Sequence, residues 1–199
     1  MNNYTDKYIF CHIPKTGGTS VKHILLDDKN DDDIHFDRGH AKMSTRLNHA
    51  RKYNITDTFK FTFVRNPWDR VVSGYAYLSQ GGANTRDADF FNKHISKYSS
   101  FDDFVTNIES VINQGYFFGN MNHFTPMIDW LDRPIDFVGK LESIDADFKY
   151  IKEKLNLTCN LVTKNKSKRK HYKEYYTAKS RDIISDVYAS DIEQFDYKY

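Results

Sequence analysis

Residues 8–26 read YIFCHIPKTGGTSVKHILL, and how this stretch is read decides the fold. Residues 8–13 are a short apolar run rich in β-formers, the pattern of a buried strand. Pro14 stops it. Lys15, Thr16, Gly17 and Gly18 then make a tight turn, where glycine permits a positive φ and close backbone approach. Thr19 and Ser20 open a helix whose apolar positions Val21, Ile24 and Leu25 keep helical spacing. A strand, a glycine turn and a helix N-terminus together make an anion site, because unpaired N–H groups and the positive dipole end face the ligand. A plain strand-to-helix turn with a surface lysine would share the glycines but not the cluster of Lys, Thr and Ser. The expected ligand is a phosphate. A Walker A loop places its lysine after the glycines; here Lys15 precedes them, which argues against an ordinary ATPase or GTPase.

Further along, TFKFTFV at residues 58–64 alternates Phe59, Phe61 and Phe63 with Lys60 and Thr62, a clear strand signal. It runs into Arg65-Asn66-Pro67-Trp68-Asp69. Asn66 is placed to cap a helix, Pro67 suits its first turn and Asp69 complements its dipole. That second strand-to-helix junction carries Arg65 at the strand end and Ser73 on the helix. Residues 80–92 read as a surface loop or lid, and residues 120–131 as an irregular aromatic segment facing substrate. Ser100 caps a helix over residues 101–113, residues 136–139 form a third strand, and Ser143 caps a helix with Ile144, Phe148, Ile151 and Leu155 inward. One helix over residues 179–195 closes the chain. Strands alternating with helices predict an α/β fold, a mainly parallel sheet flanked by helices with ligands at the carboxyl ends of the strands. Both loaded junctions belong on that edge, and two anion sites there suit a donor with two separated phosphate-like groups.

The 199 residues suit one domain, residues 1–199, with 15 Phe and 14 Tyr to supply an aromatic core. No apolar run of 18 residues or signal-peptide layout appears, so a soluble, cytoplasmic protein without a membrane span is expected. Two cysteines, Cys11 and Cys159, support neither a disulfide framework nor a zinc site. A net charge of +2 does not suggest a nucleic-acid binder, although residues 163–173 (TKNKSKRKHYK) are densely basic. The acidic run at residues 27–33 lacks the ligand spacing of a metal loop and reads as solvated.

Taken together, HIPKTGGTS at residues 12–20 and FVRNPWDRVVSGY at residues 63–75 resemble the sulfotransferases that use 3′-phosphoadenosine 5′-phosphosulfate (PAPS). The stretch at 12–20 is similar to the family's 5′-phosphosulfate loop. That at 63–75 is similar to its 3′-phosphate motif, with arginine and serine at Arg65 and Ser73. DFVGKLESIDADF at residues 136–148 and the tail from residue 172 extend the resemblance over most of the chain. Its nearer branch is the carbohydrate one, which includes the chondroitin and heparan-sulfate 2-O enzymes and bacterial relatives.

The resemblance implies a P-loop-like nucleotide-binding sulfotransferase fold and a set of roles. Lys15 would bridge the 5′-phosphate and the departing sulfuryl group. Gly17, Gly18, Thr19 and Ser20 would supply N–H and hydroxyl donors, and Thr16 belongs to the same cofactor-binding loop. Arg65 and Ser73 would hold the 3′-phosphate. Gly39-His40-Ala41 resembles the segment that carries the proposed base of the 2-O enzymes, which makes His40 the candidate, with His35 and His123 as rivals. Ser167, Lys168 and Arg169 fall where the family closes a late loop over the 3′-phosphate and adenine. The implied partners are PAPS and a hydroxyl acceptor, a saccharide in this branch; no metal is implied. Met127 follows Thr125-Pro126 where relatives often carry glutamine. A different class stays open: a non-catalytic nucleotide- or RNA-binding module using the phosphate loop and the basic patch at residues 164–173.

Overall fold

The computed structural model describes residues 8–27, 40–52, 58–117, 121–158 and 169–199. In chain order these form β1 (Tyr8–Cys11), α1 (Gly18–Asp27), α2 (Met43–Arg51), β2 (Phe59–Val64), α3 (Pro67–Ser79), α4 (Thr85–His94), α5 (Phe101–Thr106), α6 (Ile108–Ile112), β3 (Phe137–Lys140), α7 (Ile144–Leu155), α8 (Ala178–Val187) and α9 (Ala189–Gln194). Two compact units share them. One comprises Met1–Arg65 and Asp129–Lys166, the other Asn66–Ile128 and Ser167–Tyr199.

The first unit is α/β, with a parallel three-stranded sheet in the order β1-β2-β3. Phe10 pairs with Phe61 and Cys11 with Thr62, while Phe63 pairs with Gly139. Alternation along the strands sends Phe10, Phe61 and Phe63 to one face. There they pack with Val21, Ile24 and Leu25 of α1 and with Phe148, Ile151 and Leu155 of α7. Gly139 leaves room for the Phe63 ring, since a Cβ there would stand 2.6 Å from it. Cys11 faces the other way, its thiol 3.6 Å from the Ala41 carbonyl and 3.7 Å from that of Trp130. The predicted strands are trimmed: β1 stops at Cys11, ahead of Pro14, and β2 begins at Phe59. Ser143 stands at the head of α7, but its hydroxyl goes to Asp147 (2.7 Å) and caps no N–H.

Helices make the second unit. Trp68, Val71, Leu78, Phe90, Phe104, Val105, Ile108, Phe124, Ile184 and Tyr188 are its buried core. Asn66 caps α3 as predicted, accepting from the Asp69 N–H at 3.2 Å, and Ser100 caps α5. Three expectations are corrected. Residues 80–92 are not simply a loop, because Asn84 accepts from the Asp87 N–H (3.1 Å) and starts α4, which buries Phe90. The helix expected over 101–113 is two, divided at Asn107, whose amide donates back to the Asp103 carbonyl at 2.9 Å. The last helix is also two, divided at Tyr188, which is buried with its hydroxyl on the Phe124 carbonyl at 2.5 Å.

The segment at 120–131 is corrected as well. Among its described residues Met121, Asn122, His123, Phe124, Thr125, Met127 and Trp130 are all buried. Packing, rather than exposure to substrate, explains their aromatic and amide character. Asn122 gives its amide to the carbonyls of Val111, Ile112 and Gln114. The buried Asp191 carboxylate accepts the N–H groups of Met127 (2.7 Å) and Ile128 (2.8 Å). Among the described residues no helix is long and apolar enough to cross a membrane.

Candidate functional site

The turn after β1 takes its shape from its own residues. Lys15 lies at φ +66 and Gly17 at φ +82, so the chain reverses through the left-handed region twice within three residues. The Thr16 hydroxyl, wholly buried, donates to the Ile13 carbonyl at 3.0 Å and closes the turn from within. The Gly17 carbonyl accepts from Ser20 N (3.0 Å) and Val21 N (3.4 Å), which starts α1. Among the described residues no acceptor meets the N–H groups of Gly17, Gly18 and Thr19. α1 also has no acidic residue in its first turn. Its dipole end and open N–H groups are therefore available to an anion from outside.

Two side chains approach this turn from elsewhere in the first unit. Arg65, at the end of β2, donates from Nη1 to the Lys15 carbonyl at 3.0 Å. His40 meets the residue that follows β1, with Nδ1 2.9 Å from the His12 carbonyl. A carbonyl only accepts, so Nδ1 carries the hydrogen and the lone pair of neutral His40 is on Nε2. The rings of His12 and His40 lie 4.3 Å apart, and His40 meets the Trp130 ring edge-on at 6.2 Å.

His12 links the histidines to the turn. A Cβ at Gly18 would stand 2.0 Å from its Cδ2, so only glycine admits the ring at that position. Burial holds the His12 pKa well below the ordinary histidine value, and His40, Arg46, Lys22 and Lys15 lower it further. The ring is neutral. Burial also pushes the Cys11 thiol up to about 12, against the Arg46 guanidinium and with Asp132 adding to the rise, so it is not a nucleophile. Asp132 itself accepts from Ser44 N (2.8 Å) and Ser44 Oγ (2.6 Å) at the start of α2. Several cations thus bear on one buried imidazole beside open N–H donors. This arrangement can hold a strong anion at the helix end and take a proton at His40 Nε2.

The model of the sulfotransferase family matches residues 2–198. The chain belongs to the sulfotransferase family. Its match takes in both units. Among solved structures the chain is similar to mouse sulfotransferase SULT7A1 in a crystal structure complexed with PAP, at 13% identity and a TM-score of 0.47, over 98% of this chain and 88% of that one. No curated protein matches it.

In this sulfotransferase-family protein the residues expected at the site divide between the two units. Lys15, Thr16, Gly17, Gly18, Thr19, Ser20, His40 and Arg65 come together in the first. Within that group Thr16 has its hydroxyl engaged in the turn, Ser20 is buried and Thr19 is exposed. Ser73 and Arg169 belong to the second unit. Ser73 is buried on α3, and Arg169 pairs with Asp69 in the first turn of the same helix. Ser167, Lys168, Gly39 and His35 lie outside the described residues, as do residues 164–168 of the basic patch.

His123, the other rival for the base, is in the second unit. It is buried 3.9 Å from the Asp87 carboxylate among the rings of Tyr77, Tyr116 and Phe117. Sequence reasoning does not single out His12 as a site residue. The signal for it is its place directly before Ile13-Pro14-Lys15, six residues ahead of the glycine that its ring touches.

Proposed function

We propose that this protein transfers the sulfuryl group of PAPS to a hydroxyl of an acceptor, a saccharide on the branch resemblance, and releases 3′-phosphoadenosine 5′-phosphate (PAP). The observation that carries the reading is the β1–α1 turn, where open N–H groups at a helix end stand with Lys15 and a histidine of defined tautomer. The 5′-phosphosulfate lies on the N–H groups of Gly17, Gly18 and Thr19, with Ser20 behind them. Arg65 takes the 3′-phosphate. Ser73, Ser167, Lys168 and Arg169 are assigned to the same nucleotide on the motif resemblance alone, and residues 1–199 act as one sulfotransferase domain.

In the transfer, the acceptor oxygen forms its bond to sulfur as the bond from sulfur to the 5′-phosphate oxygen breaks. The acceptor's proton goes to His40 Nε2, a role worth about 10²–10⁴-fold in rate. Charge arriving on the leaving phosphate is met by Lys15 and the turn N–H groups, which are already oriented and need no rearrangement. Lys15 and the α1 dipole supply the positive field, and the scheme uses no metal.

The test is transfer of labelled sulfate from PAPS across a panel of saccharide and other hydroxyl acceptors, beside PAP binding. Wild-type protein is expected to bind PAP and sulfate at least one acceptor. Lys15→Ala is expected to lower turnover by about 10²–10³-fold with the fold retained. Absence of transfer from wild-type protein, with tight salt-sensitive binding of RNA instead, would replace this reading with the non-catalytic one.

A further inference from the structure

Arg65 makes a contact that binding a phosphate does not require. Its Nη1 donates 3.0 Å to the backbone carbonyl of Lys15, fifty residues away in the chain. Lys15 is the one residue of the turn, apart from glycine, that stands in the left-handed region, where a Cβ crowds the following carbonyl. A charge-assisted bond to that carbonyl favours the conformation and directs where the lysine side chain leaves the backbone. The sheet brings the arginine there. β2 pairs in parallel with β1 up to Cys11 and Thr62, so the end of β2 reaches the turn that follows β1. Thr16 fixes the inner side of the turn through Ile13, and Arg65 fixes the outer side through Lys15.

We infer that Arg65 is a positioning residue for Lys15, in addition to its part in holding the donor. The inference rests on the donor-site reading above. A guanidinium has five N–H donors in a rigid fork, enough to hold the carbonyl and still meet a phosphate. One side chain then reads the 3′-phosphate and sets the backbone of the lysine that acts at the other end of the nucleotide. A donor without the 3′-phosphate would lose a contact and would also leave Arg65 less firmly placed over the turn.

The experiment measures binding of PAP and of adenosine 5′-monophosphate, which lacks the 3′-phosphate, to wild type, Arg65→Ala and Arg65→Lys. It also measures kcat at saturating PAPS and the melting temperature. If Arg65 positions Lys15, both variants bind adenosine 5′-monophosphate roughly tenfold or more weakly than wild type, and kcat at saturation falls as well. Arg65→Lys keeps the charge and serves if Arg65→Ala does not fold. Unchanged monophosphate affinity and unchanged kcat at saturation, with only PAP affinity lost, would overturn the inference and leave the donor site standing. Wild-type protein that binds neither nucleotide would overturn the donor-site reading and this inference with it.

Discussion

His12, with His40 against it, and His123, with Asp87 against it, are both buried histidine settings ringed by aromatic side chains, one in each unit. Their partners differ. His12 lies among His40, Arg46, Lys22 and Lys15, and the nearest backbone N–H groups of the turn have no acceptor among the described residues. Around His123 the charge is already balanced. Asp87 accepts from Tyr77 Oη (2.6 Å), Tyr116 Oη (2.6 Å), Ala83 N (2.9 Å) and Asn84 Nδ2 (3.1 Å). Burial alone would raise the Asp87 pKa, but these hydrogen bonds and the nearby His123 more than offset it and hold the carboxyl below its usual range. A cluster of cations beside backbone N–H groups that lack an acceptor among the described residues suits an incoming anion. A carboxylate with its donors already in place is a staple, tying α3 and α4 to Tyr116 and His123 inside the second unit.

The sharpest way to break that contrast is to exchange the histidines' fates. His40→Ala is expected to lower turnover by about 10²–10⁴-fold while the melting temperature stays near wild type. His123→Ala is expected to do the reverse, costing about 2 kcal/mol of stability through the cavity it leaves, with turnover of the folded protein close to wild type. Turnover assays and thermal denaturation on the two variants decide it. Loss of turnover in His123→Ala alone would move the base to the second unit.

Much of the fold is open to reading from the chain, and the exceptions at the site have a common cause. Phe59, Phe61 and Phe63 mark β2 because alternation is a local signal, and Lys15 to Ser20 mark the turn because glycine and lysine chemistry is local too. The long-range contacts are not legible. Arg65 on the Lys15 carbonyl joins positions fifty apart, and His40 on the His12 carbonyl joins positions 28 apart. His12 reads as one more residue of the strand expected over 8–13 until its ring is seen against Gly18. The break at Tyr188 goes with a long-range bond of the same kind, to the Phe124 carbonyl 64 residues away, whereas the break at Asn107 goes with a local bond to Asp103 that hydrophobic periodicity does not register. α4 reads as loop although Asn84 and Asp87 carry its cap.

The staple in the second unit makes a smaller, thermodynamic prediction. Asp87→Asn keeps the shape of the side chain but removes the charge that strengthens its hydrogen bonds. At pH 7 it is expected to cost about 1.5–3 kcal/mol, read from denaturant midpoints. Because the folded pKa is depressed, Asp87 adds stability above its unfolded value of about 3.9 and loses it as pH falls through the folded pKa. The variant should therefore lack the share of the wild type's acid-range stability loss that Asp87 contributes. An unchanged midpoint would mean that the tyrosines, rather than the carboxylate, hold the cluster.

The last prediction belongs to His12, and it falls in a different pH window. Its folded pKa is also depressed, by burial and by the surrounding cations, but its unfolded value is near 6.5. Below about pH 6.5 the unfolded chain takes up a proton that the folded chain refuses. Stability contributed by neutral His12 is thus complete above that pH and is lost as pH falls toward the folded pKa, with a limiting slope of about 1.4 kcal/mol per pH unit. His12→Asn removes the titrating group and should flatten the stability profile below about pH 6.5, leaving the Asp87 limb in place at lower pH. A wild-type profile with no slope between the two windows would mean that His12 takes up its proton as readily in the folded state as in the unfolded chain, and that its burial does not keep the ring neutral.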